Sequence, residues 1–148
     1  PEALHGAADT VLFVRALHNL ARFDADGGYL GAALQDAWNA LKPGGVVGVV
    51  QHLAREDMPD EWAEGSNGYL KEAFVIERFT AAGFEFVGRS EINFNENDVP
   101  GSEDRVWRLP PTLATSRGNP ERREAMEAIG ESHRMTLKFR KPESKEAP

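Results

Sequence analysis

The chain contains no cysteine. Disulfides and thiolate metal sites are therefore excluded, and redox chemistry says nothing about compartment. It also lacks any apolar run approaching the roughly 20 residues that span a bilayer. Positive charge is in deficit, with 17 Lys and Arg against 24 Asp and Glu, a net charge of −7. That balance argues against a nucleic-acid surface, because Lys and Arg dominate phosphate binding. The basic clusters, Arg122-Arg123 and Lys138 to Lys141, are short and not interleaved with aromatic residues. No phosphate loop, Ser-His-Asp arrangement, paired-carboxylate motif or internal repeat stands out. The chain starts Pro-Glu-Ala-Leu, without Met or a signal peptide. The expectation is a piece of a longer protein, located in the cytoplasm, although a removed export signal would leave no trace. Neither a membrane nor a nucleic acid is expected as a partner.

What is present suffices for one folded domain. There are 148 residues, 41% hydrophobic and 28% charged, enough for a real core. Val11 to Leu17 is apolar except for Arg15 and reads as a parallel strand buried on both faces. Asp9 precedes it as a cap. Tyr29 to Lys42 reads as a helix, with Leu30, Ala33, Leu34, Ala37, Trp38 and Leu41 on one face. Pro43-Gly44-Gly45 stops it, and Val46 to Val50 is a second buried strand. Strand, helix and strand in this order make a right-handed βαβ unit with parallel strands.

A second helix is expected from about Tyr69 to Ala82, ended by Gly83, with a strand over Phe84 to Ile92. Residues 93 to 119 read as a long ordered excursion, because Val106, Trp107, Leu109 and Leu113 call for burial. Asn119-Pro120 opens a third helix and Gly130 stops it. Met135, Leu137 and Phe139 alternate with polar residues, as in an antiparallel strand with one buried face, at or near a sheet edge. Residues 142–148 read as a frayed tail. A short helix within Pro1 to His5 is also expected.

Four segments together carry a resemblance: VLFVRALHNLAR (11–22), ALKPGGVVGVVQH (40–52), a helix ending in AAGF (81–84), and VWRLPPTL (106–113). They resemble a family of predicted bacterial methyltransferases of undefined substrate, within the Rossmann-like, S-adenosylmethionine-dependent class. The resemblance covers about residues 1 to 141. It implies an α/β fold, the C-terminal part of a doubly wound sheet: parallel strands with an antiparallel last strand inserted between its two predecessors. The family's N-terminal strands, its glycine-rich turn and the acidic residue after its second strand have no counterpart here. The isolated chain is therefore expected to bind S-adenosylmethionine weakly or not at all.

Ligands of an open parallel sheet lie beyond the carboxyl ends of its strands. After the first strand those positions are Arg15, Ala16, Leu17, His18 and Asn19, and the resemblance makes the last three candidates for holding the cofactor. After the second they are Gln51 and His52. His18 and His52 should therefore share one crevice, and either suits a general base for methyl transfer to a small-molecule acceptor. Gln51, Tyr69, Lys71, Trp107 and Arg108 are candidates for the substrate rim, with Trp107 and Pro110-Pro111 as a lid. A metal site is not expected. The two histidines would need a third ligand from Glu56, Asp57 or Glu72, and no HxxxH or HxH spacing occurs. His5 and His133 read as surface residues. Two other readings stay open. One is a non-catalytic module that forms a homodimer through its first strand or pairs there with a missing N-terminal half. The other is an oxidoreductase of related topology.

Overall fold

The computed structural model describes residues 2–143. A 3-10 turn at Glu2–Leu4 leads into strand β1, Ala8–Val14. Two short helices, α1 (Leu17–Ala21) and α2 (Asp24–Gly27), precede the longer α3 (Tyr29–Ala40). Strand β2 spans Leu41–His52, followed after a loop by α4, Glu72–Ala81, and β3, Glu85–Ser90. The excursion holds two 3-10 turns, Val106–Arg108 and Ala114–Ser116, before α5 (Pro120–Ile129) and β4 (Arg134–Arg140).

The four strands lie in the order β1-β2-β4-β3. β1 is parallel to β2, and β4 runs antiparallel to both β2 and β3. The last strand in sequence is thus inserted between its two predecessors. Its alternation explains how it sits there: Met135, Leu137 and Phe139 are buried on one face. α3 and α4 pack on that same face, where Leu30, Leu34, Val75 and Phe79 meet Val47, Val49, Leu137 and Phe139. At α5, Asn119 accepts a hydrogen bond from Arg122 N–H at 2.9 Å, with Pro120 in the first turn and Gly130 at the end.

Several boundaries differ from expectation. β1 stops at Val14, because Arg15 turns to a left-handed φ of 51°. Leu17 therefore opens a helix, and Asp9 lies inside the strand, ion-paired with Lys42. Lys42 to Gly45 do not end the strand ladder. They bulge out of it, since Ala8 pairs with Leu41 but Thr10 already pairs with Val46. α4 begins at Glu72 rather than Tyr69, because Leu70 is held extended by bridges to Leu53 and Glu64. The expected double burial of the first strand is corrected: Leu12 is 67% and Val14 53% exposed. Among the described residues, helices cover one sheet face and leave the other bare. No helix among them is long and apolar enough to cross a membrane. Residues 144–148 of the expected tail lie outside the described residues.

Candidate functional site

The turn at Arg15 places the site. Its N–H still donates to Val50 O at 2.7 Å, so β1 and β2 stay paired up to their carboxyl ends. The chain then drops into α1, which buries Leu17 and His18. On the adjacent strand, β2 ends in Gln51 and His52, both buried. The two imidazoles converge, with ring centroids 5.5 Å apart. Trp107 stands 5.9 Å from His18, edge toward face. Together with Arg15, Asn19, Pro110, Pro111 and Arg134 they line a cleft of about 310 Å³.

Gln51 settles how His18 is oriented. Its Nε2 donates to Gly68 O at 2.8 Å and His52 O at 3.2 Å, so the amide is held in one sense and Oε1 is left to accept. Oε1 lies 3.3 Å from His18 N and 3.2 Å from His18 Nδ1. The amide oxygen cannot donate, so His18 Nδ1 carries the proton. That leaves Nε2 as the lone-pair nitrogen of a ring lining the cleft. His52 Nδ1 lies 2.6 Å from the hydroxyl of Ser132, which can serve as donor or acceptor.

Both rings are held neutral. Burial pushes His52 down to about 3, helped by His18, Arg134 and Arg15. Burial also lowers His18, partly offset by the hydrogen bond to Gln51. Neither ring carries charge at neutral pH. Of the two, His18 keeps a hydrogen bond that favours its protonated form, so it is the better proton acceptor.

A polar network forms the wall behind the cleft. Arg108 Nη2 donates to Asp98 Oδ1 at 2.7 Å, and Nη1 donates to Tyr69 Oη at 2.9 Å. Tyr69 Oη donates to Asp98, and His133 N–H donates to the same carboxylate at 3.0 Å. Tyr69, Asp98 and Arg108 are all buried. Burial and the Asp98 charge push the Tyr69 phenol above its ordinary range, so it stays protonated. Two glycines let the loop after β2 reach this wall. A Cβ on Gly65 (φ 110°) would lie 2.4 Å from His18 O, and one on Gly68 (φ 90°) would lie 2.3 Å from Val106 Cγ1.

The structure thus brings His18, Asn19, His52 and Trp107 to one cleft. It does not bring the rest of the expected set there as rim. Leu17 is 1% exposed and packs in the apolar core. Gln51 is buried behind the His18 ring it orients. Tyr69 and Arg108 are internal, because their polar ends satisfy Asp98 rather than face a ligand. Lys71 pairs with Asp60 beside a different cavity. His133 is not a plain surface residue, since its Nδ1 accepts a hydrogen bond from Asn95 N–H at 2.9 Å. The sequence places Arg15 at the carboxyl end of the first strand without marking a role for it, and Ser132 and Arg134 carry no signal there as site residues. Only the pairing of His52 with Arg134 across β2 and β4 exposes the last of these. A larger cavity, about 530 Å³, lies beside Leu53, Phe94 and His133. Its arginines are committed to carboxylates, Arg89 to Glu72 and Arg55 to Asp57, which makes it the poorer candidate. Among the described residues no three His, Asp or Glu side chains converge to hold a metal ion.

No protein-family model matches the chain, and no curated protein matches it. Solved structures do. The [4+2]-cyclase SpnF superposes with a TM-score of 0.58 at 20% identity, over 95% of this chain and 52% of its own. The candidate methyltransferase solved with the Haloferax volcanii Trm112 methyltransferase activator gives 0.52 at 18% identity, over 97% of this chain and 57% of its own. The fold is the Rossmann-like methyltransferase fold. The chain spans about half the length of the structures it matches. One of the two is a cyclase, so the likeness carries the fold and leaves the chemistry to the site.

Proposed function

We propose that the protein carrying this chain transfers a methyl group from S-adenosylmethionine to a small-molecule acceptor, with His18 as general base. The observation that carries the reading is the His18–Gln51 arrangement. A neutral imidazole, fixed with Nδ1 protonated, lines a cleft at the carboxyl ends of two parallel strands. The residues present fit one wall of a cofactor site. Asn19 offers an amide beside His18, and Trp107 offers an aromatic edge. Among the described residues the one carboxylate lining the cleft, Glu131, is taken by Arg134, so these residues supply no free acid for sugar hydroxyls. The isolated chain is accordingly expected to bind the cofactor weakly.

When bound, the cofactor supplies an electrophilic methyl group. The chain's own contribution is to orient the acceptor and take its proton. His18 Nε2 accepts that proton as the acceptor's O or N attacks. Gln51 stabilises the resulting imidazolium through Nδ1–H, and Trp107 with Pro110-Pro111 limits water. His52 stays neutral beside it, which avoids a like charge. In the complete protein, His18→Ala should lower turnover roughly 10²-fold or more while cofactor affinity changes less than about threefold. Unchanged turnover would remove His18 from the reaction.

A second reading rests on the bare sheet face and the unpaired edge of β1, where Leu12 and Val14 are exposed. On that reading the chain is a non-catalytic module that dimerises or binds a partner. Sedimentation of the purified chain separates the two: concentration-dependent dimerisation abolished by Leu12→Lys supports the module.

A further inference from the structure

The cleft carries an excess of positive charge that the proposed proton transfer does not use. Arg15 and Arg134 both line it with His52. Arg134 sits directly across the ladder from His52, and Arg15 closes the neighbouring strand. Among the described residues the only carboxylate lining the cleft, Glu131, is engaged by Arg134 Nη1. With both imidazoles neutral, one guanidinium charge is left unmatched in a chain whose net charge is −7. Arg134 Nε, buried, has no hydrogen-bond partner. Both guanidinium groups lie close enough to push the His52 pKa down.

Arg15 adds a backbone observation. It holds φ 51°, a conformation that strains a side-chain-bearing residue and costs glycine almost nothing. The conformation aims the end of β1 at the cleft. Strain held by an arginine where glycine would be relaxed points to a role for the side chain. Guanidinium groups match carboxylates in geometry as well as charge. The same cleft is also lined by the apolar side chains of Trp107, Leu109 and Pro110.

We propose that Arg15 and Arg134 form a carboxylate-binding subsite, and that the acceptor of this site is a small organic acid with an apolar body. This rests on the methyl-transfer reading for the word acceptor, but not for the subsite. The same chemistry has a second source, the amino-acid end of the cofactor, and the test separates the two.

The probes are benzoate, its neutral isostere benzamide, and L-methionine, titrated into the chain while the Trp107 indole and His52 imidazole NMR signals are followed. Benzoate should shift both signals saturably. Benzamide should bind about tenfold more weakly or worse, since a hydrogen-bonded charge is lost. Arg15→Gln, exposed and outside the core, should weaken benzoate about fivefold or more without disturbing amide signals elsewhere. Equal binding of benzoate and benzamide, or no effect of Arg15→Gln, would overturn the subsite. Arg15-dependent binding of L-methionine as tight as that of benzoate would overturn its assignment to the acceptor. The readout is binding alone, so its failure leaves the His18 turnover test standing, and loss of the His18 result leaves the subsite standing.

Discussion

Beneath the sheet, Phe79 stacks on Phe139 with centroids 4.3 Å apart, among Val47, Val49 and Leu137. Behind the cleft, an equally buried region is held by Arg108, Asp98 and Tyr69 instead. The first region gains from water exclusion and loses stability in graded steps when trimmed. The second balances desolvated charge against hydrogen bonds, so removing one partner leaves another stranded. The fold rests on the apolar region, and the shape of the cleft rests on the polar one.

The largest expected effect breaks the polar wall. Arg108→Met should cost roughly 3–5 kcal/mol, because Asp98 is left charged and buried. Replacing both, Arg108→Met with Asp98→Leu, should recover only part of that loss, because the Tyr69 hydroxyl and His133 N–H then lose their acceptor. Denaturant unfolding reads both, and a single-variant cost below about 1 kcal/mol would mean the wall is wetter than the geometry says.

Trimming the apolar core comes next. Leu137→Ala, 2% exposed and flanked by β2 and β3, should cost about 3 kcal/mol. Its effect should add to that of a change in the polar wall if the two regions are independent. A coupling above about 1 kcal/mol would join them into one unit.

The third effect is one of pH. His18 and His52 have folded pKa values below the ordinary 6.5 of histidine, so the unfolded chain binds more protons under acid conditions. Stability should be flat for these groups above that value. It should then fall by up to about 1.4 kcal/mol per pH unit for each histidine as pH drops toward the folded pKa, about 3 for His52. His52→Gln should flatten part of that fall.

The smallest effect lies on the bare face. Leu12→Thr should change stability by less than about 0.5 kcal/mol, since Leu12 already meets water. A loss of about 2 kcal/mol would show that the face is covered in solution.

The apolar region was legible in the sequence and the polar one was not. Alternation at Met135, Leu137 and Phe139 announced β4, and Asn119-Pro120 with Gly130 announced the limits of α5. Local pattern suffices where a residue's burial follows from its own element. It fails where distant chain decides. Gln51 and Tyr69 read as rim residues because nothing nearby shows that Gly68 and Asp98, contributed by later loops, reach them. Arg15 reads as an interruption in an apolar run and as one position at the crevice end of the first strand, but its left-handed backbone leaves no periodic trace that singles it out. Arg134 became visible only once β4 was seen to pair with β2. Convergence of His18 and His52 did follow from strand order alone, because adjacent parallel strands end at the same side.

The central claim is that Gln51 and burial lock a neutral histidine pair at the end of the sheet. Long-range 15N–1H NMR of the imidazoles between about pH 5 and 8 tests it directly. The account predicts that His52 does not titrate in that window, that any His18 titration is displaced below 6.5, and that His18 carries its proton on Nδ1 with Nε2 bare. A His18 signal protonated on Nε2, or either ring titrating with a midpoint near 6.5, would contradict it.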